Sequence, residues 1–156
     1  MGTTYASGTD VSPGRSREEI ERTLTRFGAS SFGYGWDEAG AMIGFTLRGR
    51  TVRFVLPLPD KNSSVYQRTE TGRPRKATAA LAAWEQDCRA RWRSLALIIK
   101  AKLAAIEAGV VSFEQEFAMH VVLPGGSTVA EQVLPAIDEA YASRKPVRLL
   151  SIGNGS

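Results

Sequence analysis

Apolar and polar residues alternate along residues 32–58, and this alternation predicts three β-strands. The apolar positions share one register and are Phe32, Tyr34, Trp36, Ala41, Ile43, Phe45, Leu47, Val52, Phe54 and Leu56. Strand side chains alternate between the two faces of a sheet, so the intervening residues form the opposite face. That second face is small, glycine-rich and basic, and consists of Gly33, Gly35, Met42, Gly44, Thr46, Arg48, Thr51, Arg53 and Val55. We interpret it either as a ligand surface or as the seat of a close-packed neighbour.

Turn signals between these runs predict an antiparallel meander. Residues 37–40 suit a four-residue turn, and Gly49-Arg50 suits a two-residue type II′ turn with glycine first. The predicted pairs are Trp36 with Ala41, Tyr34 with Ile43, Leu47 with Val52, Phe45 with Phe54, and Ile43 with Leu56. Pro57 and Pro59 end the last strand because proline cannot donate to a sheet ladder.

Helical spacing of apolar residues appears on both sides of the strands. Residues 1–14 hold little that could be buried and are expected to be a flexible leader. Ser16 with Glu19 resembles a capping box, and the helix that follows ends at Gly28. A long helix is predicted over about 78–108, closed by Gly109, with one apolar stripe and a separate basic flank of Arg89, Arg93 and Lys100. The stripe is Leu81, Trp84, Cys88, Trp92, Leu95, Ile99, Leu103 and Ile106.

Two further capping boxes predict short helices in the C-terminal part of the chain. Ser112 with Gln115 begins the first, and Thr128 with Glu131 begins the second, which runs to about Ala142 and is kinked or restarted at Pro135. Residues 143–156 are expected to be a flexible tail. The fold class is therefore α+β: an N-terminal helix, a three-stranded antiparallel meander, a long amphipathic helix on one sheet face, and two short C-terminal helices.

Length and composition suit one domain, which we place at residues 15–142. The chain has 156 residues, a formal net charge of +4 and a pI of about 9.5. A single cysteine excludes an internal disulfide, and the N-terminus shows no signal-peptide pattern. The longest apolar run, 96–99, is too short to cross a bilayer. We therefore expect a cytoplasmic protein with no membrane partner.

No residue pattern of the chain predicts catalysis. One histidine, His120, and one cysteine, Cys88, cannot form a structural zinc site or a recognisable nucleophile and base pair. Cys88 lies on the core stripe, and His120 follows an apolar run, so packing is the simpler role for each. Clustered carboxylates of the kind that a metal-dependent nuclease needs are missing from the sequence pattern. We expect no enzyme activity, no cofactor and no metal site.

Basic residues are concentrated between positions 48 and 76, a stretch that contains eight Lys or Arg and only two acidic residues. Residues 60–76 are read as a flexible basic loop because Gly72 and Pro74 oppose regular structure. The candidate nucleic-acid-binding residues are Arg48, Arg53, Arg73, Arg75, Lys76, Arg89, Arg93 and Lys100. Such a set attracts phosphate backbones, although basic residues also serve simply as a solvated surface. Tyr66 is the one aromatic residue of this loop that is placed to stack on a base.

Three stretches of the chain carry a resemblance to other proteins. They are 29–60, with Tyr34-Gly35-Trp36 and the run from Val52 to Asp60; 91–102, with Arg91-Trp92-Arg93 and Lys100-Ala101-Lys102; and Val122-Leu123-Pro124-Gly125-Gly126. Over residues 16–142 they resemble a family of small uncharacterised proteins of tailed bacteriophages and prophages. This resemblance implies a phage setting inside a bacterial host cell and no particular chemistry. The order of elements is also similar to the cores of Rad52-type annealing proteins and double-stranded RNA-binding domains.

The sequence favours a phage-derived, non-catalytic nucleic-acid-binding protein. DNA is the preferred partner, in annealing, recombination or another step of DNA metabolism, and a homo-oligomer is expected. The alternative is an accessory protein that binds and inhibits a host defence protein through its basic surface or its glycine-rich face.

Overall fold

The computed structural model describes residues 14–37 and 40–147. Its helices are α1 (Gly14–Arg26), α2 (Ser64–Gln67), α3 (Ala77–Glu107), α4 (Phe113–Phe117), a 3₁₀ turn at Ala118–His120, and α5 (Val129–Ser143). Its strands are β1 (Ser31–Asp37), β2 (Gly40–Leu47) and β3 (Arg50–Leu56), which form one antiparallel sheet in the order β1-β2-β3. The predicted α+β architecture is confirmed. Most of the predicted leader and tail lies outside the described residues.

The two hairpins differ in how well the sequence predicted their register. In the first, Trp36 pairs with Ala41 and Tyr34 with Ile43, as predicted. In the second, Leu47 pairs with Arg50 and Phe45 with Val52, so the predicted pairs of this hairpin were wrong. The turn is Arg48-Gly49, with positive φ at both residues, which is the type I′ geometry that matches strand twist. The shift is two residues along the partner strand, so the side chains within β2 and β3 keep their predicted faces.

Helix α3 covers the apolar face of the sheet, as predicted. Trp92, Leu95, Ile99 and Leu103 are buried in one cluster with the inward residues of the strands. Tyr34 of β1 packs on Trp92 with ring centroids 5.4 Å apart. Burial of this aromatic and aliphatic surface is the main source of stability in such a layer.

Helix α3 is longer than the sheet that it covers. Its 31 residues extend about 46 Å, whereas a strand of 7 residues extends about 23 Å. The part of α3 before Arg91 therefore lies beyond the sheet. There Trp84 and Cys88 form a second cluster with Tyr66, which is supplied by the connection between β3 and α3. Leu81, predicted on the core stripe, is 44% exposed, whereas the neighbouring Ala80 is buried.

Helix α1 packs beside α3 and begins earlier than predicted. Gly14 is already helical, so Ser16 lies inside the first turn, and the predicted capping box at Ser16 and Glu19 is wrong. Ser16 is buried because it shares the inward face with Ile20 and Leu24. The predicted stop is confirmed: Gly28 has φ +93°, which ends the helix in the left-handed conformation.

The C-terminal part of the chain lies along the outer edge of β3. Val121 forms an isolated β-bridge with Val52, and the amide of Val122 donates to the carbonyl of Thr51 at 2.8 Å. These contacts add one short pairing to the free edge of β3. Both predicted capping boxes, at Ser112 and at Thr128, are confirmed. Helix α5 continues through Pro135 without restarting.

The glycine-rich face of the sheet carries no covering layer among the described residues. Met42 is 37% exposed and Val55 53% exposed on this face. A methyl group built on Gly35 would meet no atom within 4 Å, and one on Gly33 would reach only the Gly44 carbonyl at 4.0 Å. Among the described residues, the glycines of β1 therefore make room for no internal neighbour.

Glycine-to-alanine replacements separate backbone strain from packing. We expect Gly49→Ala to reduce the free energy of unfolding by about 1 kcal/mol, because φ at Gly49 is +73°. Gly35→Ala is the matched control and should be neutral or stabilising by up to about 0.5 kcal/mol, because the space above it is empty. Urea unfolding of the two variants measures the difference. Equal losses would contradict the assigned turn.

Candidate nucleic-acid interface

The segment predicted as a flexible basic loop, 60–76, is ordered. Ser63 caps α2, and two backbone hydrogen bonds, from Thr69 to the Arg73 carbonyl and from Arg75 to the Gln67 carbonyl, close a narrow hairpin after it. An isolated antiparallel β-bridge pairs the backbones of Arg68 and Pro74 within the same hairpin. The expectation that this segment has no regular structure is wrong, because it counted apolar residues and overlooked these local hydrogen bonds.

Two aromatic side chains fix this segment to α3. The indole nitrogen of Trp84 donates to the Pro59 carbonyl at 2.6 Å, and the Tyr66 hydroxyl donates to the Asp87 carboxylate at 2.6 Å. Burial, together with the hydrogen bond to Asp87, raises the pKa of Tyr66 to about 12. Tyr66 is buried, so it does not present its ring for base stacking as the sequence suggested.

The hairpin and the residues on either side of it carry five cationic side chains before the first residue of α3. We call this group the basic end; it consists of Lys61, Arg68, Arg73, Arg75 and Lys76. All are exposed except Arg75, which is half-buried. Arg68 donates to the Gly72 carbonyl at 3.1 Å, and within the described residues no carboxylate forms an ion pair with any of the five. Their charges are therefore available to an anionic partner.

The predicted residues of α3 lie on the flank that faces α1. Arg89 and Arg93 are exposed, and no acidic side chain pairs with them in the part of the chain that the structure describes. Lys100, two turns further along, lies 3.7 Å from the Glu19 carboxylate of α1. Arg89 and Arg93 thus remain candidates, whereas the charge of Lys100 is partly compensated.

The two predicted residues of the sheet lie away from the basic end. Arg48 adopts φ +51° in the β2–β3 turn, and its guanidinium lies 5.9 Å from the Phe113 ring centroid. Because the turn interrupts the alternation of strand side chains, Arg48 does not lie on the glycine-rich face. The prediction for this residue was wrong. Arg53 does lie on that face, where its guanidinium is 3.3 Å from the Glu131 carboxylate. The structure thus brings together Arg73, Arg75 and Lys76 but does not place all eight residues on one surface.

Three polar residues that the sequence analysis did not select lie around a cleft between β3, α3 and the 3₁₀ turn. Arg91 donates to the Pro57 carbonyl at 2.7 Å. Lys102 lies 2.7 Å from the Glu116 carboxylate. His120 stacks on Phe54 with ring centroids 4.0 Å apart. The sequence did hold one signal for this cleft: Arg91 and Lys102 are spaced so that both lie on the same face of α3, beside the core stripe.

The groups most often used in catalysis are arranged for packing here. Burial raises the pKa of the Cys88 thiol to about 11, so this side chain is an uncharged core residue at neutral pH. Burial, and then the nearby Lys102 charge, lowers the pKa of His120, so its ring is neutral. Among the described residues, no group of three or more His, Cys, Asp or Glu side chains is arranged to hold a metal ion.

Helices of the described ranges are all too short or too polar to cross a bilayer. Comparison with known proteins gives no match to a family model, to a curated protein or to a solved structure.

Alkaline titration tests the contact that orders the basic end. Folding raises the pKa of Tyr66 from 10.0 to about 12, so its protonated form stabilises the fold. That stabilisation is complete below pH 10 and is lost as the pH rises toward 12. We expect Tyr66→Phe to lack this part of the alkaline loss, measured by urea unfolding across the range. The wild type should also show a rise in phenolate absorbance near pH 12, and Tyr66→Phe should lack this rise. Parallel stability curves for the two proteins would contradict the Tyr66–Asp87 contact.

Proposed function

We propose that this protein binds nucleic acid, with DNA as the favoured partner, and catalyses no covalent step. The observation that supports this proposal is the ordered basic end, where a hairpin fixed by Tyr66 and Trp84 presents unpaired cations. A phage origin and a place of action in the cytoplasm of a bacterial host belong to the same proposal. They rest on the resemblance of the sequence alone.

Charge is distributed unevenly, which favours one end of the molecule for phosphate binding. Residues 61–93 hold Lys61, Arg68, Arg73, Arg75, Lys76, Arg89, Arg91 and Arg93 against Glu70, Glu85 and Asp87. Residues 113–147 hold Glu114, Glu116, Glu131, Asp138 and Glu139 against Arg144 and Lys145. A polyanion is attracted to the first region and repelled by the second. The basic end is thus the proposed phosphate-binding surface, and Arg89 and Arg93, on the flank of α3 that faces α1, are a second group of candidates.

Pre-ordering of this surface bears on affinity. A flexible basic loop would lose conformational entropy when it closed on a phosphate backbone. The hydrogen-bonded hairpin at 67–75 has already lost that freedom on folding. Its cations therefore bind phosphates without a large ordering cost.

Charge reversal tests the proposal directly. We expect labelled single- or double-stranded DNA to bind with micromolar or tighter affinity at about 50 mM salt and to weaken steeply as salt rises. The triple variant Arg73→Glu, Arg75→Glu, Lys76→Glu should abolish binding and flatten the salt dependence. Fluorescence anisotropy measures both quantities.

The matched control reverses the charges of Arg144 and Lys145, which follow α5 and lie in the acidic region. This variant should bind DNA nearly as well as the wild type. No retention of either DNA by the wild type at low salt would end the proposal, and so would equal losses in the two variants.

The uncovered glycine-rich face favours a second candidate function, inhibition of a host protein. Exposed Met42 and Val55, with empty space above Gly35, offer a flat apolar surface that another backbone could approach closely. The same face, with β1 at the edge of the sheet, also supports self-association of the chain, which we propose as its oligomeric mode.

Pull-down from nuclease-treated host lysate distinguishes the two functions. A protein bound through the glycine-rich face should survive the digestion and be lost in the variant Gly35→Arg, whereas a partner bridged by DNA should disappear on digestion. Size-exclusion chromatography of the same variant reports on self-association. A partner that survives digestion and ignores Gly35→Arg would contradict docking on this face.

A further inference from the structure

The cleft beside His120 has the size of a small-ligand pocket. Its volume is about 310 Å³, at the lower end of the range of about 300–1,000 Å³ for small-molecule sites. Three elements line it: the end of β3, one face of α3 and the 3₁₀ turn. Its walls are mainly apolar, with Leu56, Leu95 and Ile98 among them. A site of this size accommodates one aromatic ring system.

One wall of the cleft is a fixed aromatic plane. The His120 ring lies nearly parallel to Phe54, at an interplanar angle of 19°. Phe54 is held in turn by Phe117, which meets it edge-on at 6.1 Å. His120 is half-buried, and its ring nitrogens form no hydrogen bond with the described residues. The cleft therefore offers both a stacking face and a free donor and acceptor, which are the groups that a nucleobase uses.

Cationic groups border the cleft at two positions along α3. Arg91 and Lys102 are separated by about 16 Å along the helix axis. Within the described ranges, the guanidinium of Arg91 bonds only a backbone carbonyl and forms no ion pair, whereas Lys102 pairs with Glu116. Arg91 is thus the group best able to hold a phosphate at the mouth of the cleft.

Arg91, which lines the cleft, lies close to the contact that fixes the basic end. Arg91 lies one turn after Asp87, the residue that binds Tyr66, and its charge acts on the Tyr66 hydroxyl, where it opposes the burial that raises the phenol pKa. Arg68 follows Tyr66 by two residues at the start of the basic hairpin. A strand whose phosphates lie along the basic end can therefore reach Arg91 and the cleft.

We propose that the cleft between β3, α3 and the 3₁₀ turn receives one unstacked base of a single-stranded nucleic acid, stacked on His120, with the adjacent phosphate on Arg91. This inference rests on the proposed nucleic-acid function and deepens it, since it predicts a preference for single strands. A base that is paired within a duplex cannot enter the cleft.

The test combines a blocking variant with a matched control on the next residue of α3. Ile98 lines the cleft and is 48% exposed, so Ile98→Trp fills the cleft from its rim without altering the core. Leu97 is 66% exposed and does not line the cleft, so Leu97→Trp adds the same ring elsewhere. We expect Ile98→Trp to weaken binding of labelled oligothymidylate about fivefold or more, since stacking of one base contributes about 1–3 kcal/mol. Leu97→Trp should change nothing, and duplex binding should be equal in all three proteins.

A second readout uses His120, which is the only histidine of the chain. Its ring protons give a single identifiable set of NMR signals. These should shift upfield on addition of oligothymidylate to the wild type and stay in place in Ile98→Trp. Free dTMP added at the same concentration as the oligonucleotide distinguishes the sources of the base: equal shifts with dTMP mean that the cleft binds nucleotides without a strand, which overturns the proposal.

The outcomes separate this inference from the proposed function. Single strands that bind equally to the wild type and to Ile98→Trp, with unmoved His120 signals, overturn the cleft and leave the basic end intact. Absence of binding to single strands and to duplex overturns both.

Discussion

The excess length of α3 over the sheet constrains the rest of this structure. A helix of 31 residues buries its middle on three short strands and leaves its first turns without a sheet to cover them. An apolar stripe that ends in Trp84 and Cys88 cannot stay in water without a large loss of free energy. The chain between β3 and α3 covers it, and this requirement orders a segment that is otherwise polar.

The order of that segment connects packing to the proposed binding surface. Tyr66 supplies the apolar contact, and its hydrogen bond to Asp87 fixes the start of the basic hairpin. The polar residues that follow have no place in the core, so their side chains project into solvent. Packing of Tyr66 thus determines the position of the arginines in the hairpin. Arg91 lies near them because it follows Asp87 by one helical turn.

Elements with local signals were predictable from the sequence. The strand alternation, both C-terminal capping boxes and the stop at Gly28 each depend on residues within a few positions of one another. The second hairpin was placed wrongly because it requires Arg48 in the left-handed conformation, which non-glycine residues adopt rarely. A turn beginning at Gly49 satisfied the same alternation, so the apolar pattern could not distinguish the two.

The candidate site was less predictable because its charges are set by tertiary neighbours. Arg53 and Glu131 are 78 positions apart, and Lys100 meets Glu19 across a helix pair, so neither ion pair has a local signature. Tyr66 was predicted to be exposed because the residues that bury it, Trp84 and Cys88, belong to the part of α3 that extends beyond the sheet. The cleft at His120 was invisible because Phe54, Arg91 and His120 come from three separate elements.

We propose that polyanions bind the pre-ordered basic end and the adjoining face of α3, and not the open sheet. Backbone amide NMR shifts on titration with single-stranded DNA at low salt distinguish these surfaces. We expect shifts at residues 61–76, around Arg91 and at 118–122, with β1 and β2 unchanged. Shifts confined to β1 and β2 on the glycine-rich face, with residues 61–76 unmoved, would contradict it.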